Sequence, residues 1–326
     1  MLILRSRTTN PAFNLATEEF LLKNKSEDCF YLYINNPSII VGRNQNALAE
    51  INVHYVKENN IDVIRRQSGG GAVFHDPGNL NFTFIMTELE DKSVDFRKYT
   101  QPILDVLKSL GVDAKFEGRN DMTIKGKKFS GNAKYFYKDK ILQHGTLLFS
   151  STLPNLSQAL KLNPLKYRDK AVKSISSRVT NISEHLSYEV TLQELEERII
   201  NHVRNMYNDS EIYELTDSDI DAINKLVEEK YGTWDWNFGH SPQYNFQKGI
   251  KTNGGHIEIN LEVIKGEIKN AKIFGDFFNI REVSELENLL IGTTHEQEHI
   301  KKLLETVGIE NYLSNVTVDE FVEGLF

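Results

Sequence analysis

The chain has 326 residues, 40% of them hydrophobic, a single cysteine and a formal net charge of −8. That length exceeds one average domain and furnishes a sizeable core plus a smaller second one, and the acidic balance excludes a broadly basic nucleic-acid binder. One thiol, Cys29, rules out an internal disulfide and a Cys-rich zinc site and fits a reducing cytoplasm; with no signal-peptide core and no stretch near membrane length, a soluble internal protein is expected.

Asn10-Pro11 reads as an N-cap followed by proline at the first helical position, and residues 12–23 continue as a helix with little polar face, buried on most sides. Strands follow at 30–34 and 38–41, the second ending in Gly42-Arg43-Asn44-Gln45-Asn46, and then a helix over 47–58. Next comes the stretch on which the chain is centred. A strand at 62–64 leads into Arg65-Arg66-Gln67-Ser68-Gly69-Gly70-Gly71-Ala72-Val73-Phe74-His75-Asp76-Pro77-Gly78-Asn79, and a strand at 81–84 leaves it. Three adjacent glycines cost backbone entropy and suit a turn where another group presses against main-chain N–H donors. Arg65 and Arg66 enter that turn, and two guanidiniums together grip phosphate or carboxylate oxygens in pairs. The string matches neither Gly-x-x-x-x-Gly-Lys-Ser/Thr nor Gly-x-Gly-x-x-Gly, so a nucleotide bound here would be held by another geometry.

An acidic loop leads to an amphipathic helix over 96–110, stopped by Gly111. Residues 118–124 and 127–133 flank Lys125-Gly126 as a hairpin, and a strand follows at 141–149. Beyond 153 the periodicity is helical, at 156–162, 192–207 and 217–231, with a cationic run from Lys161 to Lys173 between the first two. Turn formers collect from His240 to Asn245, and a hairpin at 256–263 and 268–274 around Lys265-Gly266 then precedes helices to Phe326. Strands and helices mixed in this irregular order predict an α+β fold with domains at 1–245 and 246–326.

The string from Arg65 to Asn79 resembles the signature of the lipoate–protein ligase A family, in the lipoate/biotin ligase superfamily. Further matches are Asn14-Leu15-Ala16-Thr17-Glu18-Glu19, Gly42-Arg43-Asn44-Gln45-Asn46, Gly118-Arg119-Asn120-Asp121, Lys128-Phe129-Ser130-Gly131, His144-Gly145-Thr146, Ser177-Arg178-Val179-Thr180-Asn181 and Trp234-Asp235-Trp236-Asn237-Phe238-Gly239. The resemblance implies a mixed-sheet catalytic domain of the biotin/lipoate ligase type over 1–245 and a small α+β accessory domain over 246–326. It implies ATP-dependent activation of lipoate to lipoyl-AMP with release of pyrophosphate. The lipoyl group then goes to a lysine of acceptor proteins, the E2 lipoyl domains of 2-oxoacid dehydrogenases and the glycine cleavage H protein. ATP with Mg²⁺ would be the co-substrate, with no tightly bound prosthetic group, no nucleic acid or membrane partner, and a monomer in the cytoplasm.

By position the family implies that Lys128 is catalytic, reaching both phosphate and acyl carbonyl, while Arg66 and the backbone of Gly71, Ala72, Val73 and Phe74 hold the nucleotide. Arg66 is expected to touch phosphate rather than to fold the loop. Asp121 would partner the adenine amino group or a Mg²⁺ shell, and no metal site is firm in the sequence beyond the Mg²⁺ that would come with ATP near Asp121. Lipoate would meet Lys128, Ser68, Gly70, His75, Tyr33 and His144, with His75 lining the acyl tunnel or sitting as a satisfied core histidine. Tyr33 stands where a related ligase has tryptophan near the tunnel's far end, and Lys134-Tyr135 where some relatives have an arginine. The cationic run and residues 177–181 are expected to close over the adenylate, and the accessory domain, beyond a connector containing Pro242, to govern access and docking but none of the chemistry.

Rival readings attach to other residues. An acyltransferase of the same superfamily would work through a cysteine thioester, and only Cys29 is available; a biotin–protein ligase would carry a Gly-Arg-Gly-Arg type string, which is absent. His295-Glu296-Gln297-Glu298-His299 is a literal His-Glu-x-x-His match, which on a helix would bind zinc. An idle lipoate-binding module would have no need of Lys128 and the arginines.

Overall fold

The computed structural model describes residues 1–326 apart from 46, 88–94, 153–158, 161–178, 239–245 and 265. Its strands are β1 (Leu2–Arg5), β2 (Cys29–Ile34), β3 (Ser38–Val41), β4 (Asp62–Arg65), β5 (Val73–His75), β6 (Asn79–Thr87), β7 (Ala114–Glu117), β8 (Asp121–Ile124), β9 (Lys127–Tyr137), β10 (Lys140–Leu148), β11 (Glu211–Ile212), β12 (Phe246–Thr252), β13 (Gly255–Ile264) and β14 (Glu267–Gly275). Eight form one mixed sheet in the order β11-β1-β2-β6-β10-β9-β8-β7, with β1 parallel to both its neighbours and the other pairs antiparallel.

The sequence of β6 alternates Asn79, Asn81 and Thr83 with Leu80, Phe82 and Phe84, and both sets are buried. The apolar set packs with Tyr99, Ile103 and Leu107 of the helix Arg97–Ser109 and with Leu195, Ile199 and Val203 of the helix Leu192–Met206. A buried polar face in the middle of a sheet must be satisfied by partners, and here it faces the candidate site. The helix Pro11–Asn24 covers that side; Asn10 caps it by accepting from the Phe13 amide, as the sequence predicts. It lies between the sheet and the helix Asp217–Leu226, so even Asn14, Thr17, Glu18 and Glu19 are buried. The helix predicted over 217–231 continues past Leu226 as a π-helical turn, Val227–Tyr231.

A second sheet, β4-β3-β5, carries the glycine turn between its outer strands: β3 is parallel to β4 and antiparallel to β5. The predicted helix over 47–58 is two pieces, Ala47–Glu50 and Val53–Glu58, because the Asn52 side chain accepts from the Tyr55 amide and restarts the helix there. The β8–β9 hairpin turns on Lys125 and Gly126, both at positive φ, the turn whose twist matches that of its strands.

A separate core is built only from residues between 246 and 325, where the antiparallel meander β12-β13-β14 is packed by the helices Val283–Leu290, Gln297–Val307 and Val318–Leu325. The chain is α+β. Strands β1, β5, β7, β11 and β12 are additions to the sequence reading: they are short or largely polar, and pairing rather than pattern defines them. Most of the helix predicted at 156–162, the cationic run and the turn-rich connector fall outside the described residues. Among those described, no helix is long and apolar enough to cross a membrane.

Candidate active site

Between the polar face of β6 and the glycine turn lies a cavity of about 110 Å³. Leu15, Ile40, Val73 and Ala133 supply apolar wall; Tyr33, Arg66, His75, Asn81, Asn120, Lys128, Asn132, His144 and Thr146 supply polar groups; Gly70, Gly71 and Ala72 close one side. Strand pairing explains the assembly: Tyr33 lies opposite Asn81, Asn81 opposite Thr146, and Gly145 opposite Asn132, a row across β2, β6, β10 and β9.

Lys128 sits where β9 bulges against β8, so that Thr123 pairs with Lys128 and Met122 with Ser130, leaving Phe129 to enter the core. Its Nζ is 2.7 Å from Asp121 Oδ1, with both side chains about 40% exposed at the cavity mouth. Lys127 beside it is exposed and outside the cavity. The carbonyl of Lys128 accepts from the Thr180 amide, which ties the described end of the predicted closing segment to the lysine's own backbone.

The two arginines are not a pair of anion grips. Arg65 is 1% exposed and donates to the carbonyls of Gly42, Arg43, Gln45, Trp236 and Asn237, so it bolts β4 to the turn after β3 and to the Trp234–Asn237 helix. That corrects the expectation that it joins Arg66 on a ligand: every arm of its fork is spent on backbone. Arg66 does line the cavity, yet it also donates to Ser68 Oγ and to the carbonyls of Ile40, Gly69 and Gly71. The expectation that Arg66 leaves the loop's folding alone is therefore overturned. Burial pulls both guanidinium pKa values down to about 10, which still leaves two cations at neutral pH.

Within the turn Gly70 adopts φ +89°, which an L side chain rarely tolerates. A Cβ on Gly69 would lie 2.3 Å from the carbonyl oxygen of Phe277, and the Gly70 amide donates to that same oxygen at 3.2 Å. The group that presses on the glycines is thus a carbonyl from beyond β14. Phe74 turns its side chain into the core of the small sheet with Ile39 and Val41, so only its backbone faces the site's side of β5.

Three residues behind the wall were given no role by the sequence reading. Glu18 takes His144 Nδ1 at 2.9 Å, and His144 Nε2 stands 2.6 Å from Ser68 Oγ, so His144 links Ser68 to a buried carboxylate that Tyr33 also donates to. Asn35 Nδ2 is 3.0 Å from His75 Nδ1, and Asn14 stands behind Asn35. Glu18 and Asn14 were visible as polar residues on a helix with little polar face; Asn35, in a loop after β2, gave no such signal. Burial first, and then the neighbouring Arg66 and His144, push the His75 pKa down to about 3, so this imidazole is neutral.

The rival residues fall away. Cys29 lies at 0% exposure inside β2, its thiol pushed up to about 12 by burial, which is the wrong state for a thioester nucleophile. His295 precedes its helix, which begins at Gln297; its Nε2 is 2.6 Å from the Leu325 carbonyl oxygen and its ring stacks on Phe326. Among the described residues no three His, Cys, Asp or Glu side chains gather as a metal site.

Residues 10–204 match the family model of the lipoyl protein ligase A/B catalytic domain, and residues 241–325 match that of the bacterial lipoate protein ligase C-terminus. The chain belongs to the lipoate–protein ligase family. Over 331 aligned residues it is 43% identical to a lipoate–protein ligase of Bacillus subtilis, covering 100% of both chains. The solved structure of P. falciparum LipL1 in complex with lipoate superposes with a TM-score of 0.82 at 28% identity, over 99% of this chain and 97% of that one. A lipoate–protein ligase A bound with ATP gives 0.60 at 25% identity, over 73% of this chain and 98% of its own. Within the family frame, Tyr33, Arg66, Gly70, Gly71, Ala72, Val73, His75, Lys128 and His144 meet at one cavity, whereas Ser68, Phe74 and Asp121 stand behind or beside its wall.

Proposed function

We propose that this ligase activates lipoate with ATP to lipoyl-AMP and pyrophosphate, and then transfers the lipoyl group to a lysine amine of an acceptor protein. The observation that carries the reading is Lys128 at the mouth of a narrow, partly apolar cavity, facing the wall of Gly70, Gly71, Ala72 and Val73. One structural relative holds lipoate and another ATP, and this cavity and its mouth are where the two ligands would meet here.

In the first half-reaction the lipoate carboxylate attacks the α-phosphorus and pyrophosphate leaves. Negative charge grows on phosphate oxygens, which Lys128, freed from Asp121, and the amides of the glycine turn stabilise. Arg66 adds a fixed cation behind that turn. In the second, the acceptor amine attacks the acyl carbonyl carbon, AMP leaves with the bonding pair and the amine loses a proton; Lys128 stabilises the carbonyl oxygen as it gains charge. Tyr33, Ser68, Gly70, His75 and His144 are assigned to the lipoyl side, and Gly71, Ala72, Val73 and the Phe74 backbone to the nucleotide. Mg²⁺ would arrive on the triphosphate, with Asp121 as the carboxylate nearest to Lys128. E2 lipoyl domains and the glycine cleavage H protein are the proposed acceptors, the chain acting as a cytoplasmic monomer with its catalytic part over 1–245 and its accessory part over 246–326.

ATP–pyrophosphate exchange tests the first half-reaction without any acceptor. Exchange should require lipoate and ignore biotin; Lys128→Ala should lower it by about a thousandfold or more, and Lys127→Ala should keep most of it. Exchange without lipoate, or equal losses in the two folded variants, would sink the reading.

A further inference from the structure

His75 is 3% exposed, lines the cavity, and has no hydrogen-bond partner for its Nε2 among the described residues. Which ring nitrogen carries the proton decides whether that atom offers a donor or a lone pair. The answer is set several residues away. Asn14 has an unambiguous orientation, because its amide nitrogen lies 3.2 Å from the carbonyl oxygens of both Thr8 and Ile34, which only accept. Its Oδ1 then accepts from the hydroxyls of Ser6 at 2.6 Å and Tyr31 at 2.9 Å. The same amide nitrogen donates to Asn35 Oδ1 at 2.8 Å, so Asn35 turns its own nitrogen toward His75 Nδ1 at 3.0 Å. A donor against Nδ1 leaves that atom bare and puts the proton on Nε2. Burial, with Arg66 and His144 nearby, keeps a second proton off the ring.

The sheet places this N–H at the lysine end of the cavity. His144 pairs with Thr83, which faces Tyr31; Thr146 pairs with Asn81, which faces Tyr33, one step further along; Asn35 and His75 lie beyond that row. On the other side of Thr146, its hydroxyl accepts from the Gly131 amide, and Lys128 Nζ closes on Gly131.

We propose that Asn14 and Asn35 are positioning residues that hold His75 as the Nε2-protonated neutral imidazole, and that this N–H donates to the carboxyl oxygen of the acyl ligand. The carboxylate keeps its charge for attack, since a neutral donor orients it without giving up a proton, and the same bond follows the oxygen into the acyl adenylate. This rests on the ligase reading above.

The test uses the full chain labelled with ¹⁵N-histidine. In wild type the His75 resonances should report a protonated Nε2 and a bare Nδ1 throughout about pH 5 to 8, and lipoate without ATP should move the Nε2–H signal. Asn14→Asp replaces the donor facing Asn35 with a carboxylate oxygen, which turns the Asn35 amide and sends the His75 proton to Nδ1. In pyrophosphate exchange that variant should raise the KM for lipoate about tenfold or more while kcat changes less than about threefold. A wild-type His75 protonated on Nδ1, an Nε2–H signal indifferent to lipoate, or a moved proton with unchanged KM would each overturn the proposal. The two wild-type outcomes decide it even where Asn14→Asp fails to fold. Absence of lipoate-dependent exchange in wild type would instead overturn the ligase reading and leave the tautomer measurement standing.

Discussion

Arg65 and Arg66 are neighbours in sequence and serve different parts of the molecule. Removing the Arg65 guanidinium takes a buried donor from five carbonyls at a side chain only 1% exposed, so Arg65→Ala should cost on the order of 4 kcal/mol and leave little folded protein. Arg66→Ala should lower unfolding stability by roughly 2 kcal/mol in the absence of ligand and also slow adenylation, because the same fork shapes the turn and lines the cavity. Urea titration beside pyrophosphate exchange separates the two. A stable Arg65→Ala variant with impaired ATP use would show that the bolt is the ligand grip after all. The sequence carried the charge of both residues and their place at a strand end, and alternation already required them to face opposite ways. It held nothing to say which way was inward, because Trp236 and Asn237, which receive Arg65, lie some 170 residues on.

At the scale of elements, the glycine turn rests on the helix Pro11–Asn24 through Glu19. This carboxylate, 2% exposed, takes Gln67 of the turn, Lys23 of its own helix, and Lys230 and Tyr231 of the π-helical turn. Burial alone would raise its pKa, but the pull of Lys230 and the hydrogen bonds of Lys23, Lys230 and Tyr231 outweigh that and hold it at about 2, against 4.5 for a free glutamate. A depressed carboxylate contributes stability that is complete above its unfolded pKa and vanishes as pH falls through its folded one. The contribution, on the order of 3 kcal/mol, should therefore be intact above about pH 4.5 and lost toward pH 2. Glu19→Gln should flatten that acid limb of the stability profile, and a profile as steep as wild type would assign acid sensitivity to another group. The helix itself was legible from its Asn10-Pro11 start and its scant polar face. Its buried Asn14, Glu18 and Glu19 were legible only as motif letters, since each partner comes from a different element. The split of the 47–58 helix at Asn52 was there to be read as an N-cap inside a helical pattern.

Over the whole molecule, the segment after β14 is more than a gatekeeper. Arg119 donates to the carbonyls of Gly254 and Asp276, the latter at 3.2 Å, and lies 4.8 Å over the Phe278 ring, which packs on Phe96 at 5.1 Å. Asn44 reaches Asn279 at 3.2 Å, Arg43 pairs with Glu282, and the Phe277 carbonyl sits on the glycine turn. The expectation that residues beyond 245 leave the chemistry untouched meets this contact: they form the outer support of the turn to which the first half-reaction is assigned above. Transfer from a preformed adenylate relies less on that turn, because phosphate geometry no longer changes on the way to attack. Arg119 belongs to the Gly118-Arg119-Asn120-Asp121 motif but spends its fork on the accessory side, while Asp121, two residues on, meets Lys128. Arg119→Ala should therefore slow lipoate-dependent pyrophosphate exchange about tenfold, a displacement effect on aligned groups, and leave transfer from added lipoyl-AMP within about threefold. A chain ending at residue 245 should show the same split more strongly and should expose Phe96 to solvent. Equal losses in both half-reactions would mean that the Arg119 contact holds the fold together rather than the turn; unchanged exchange would return the C-terminal segment to access and docking alone.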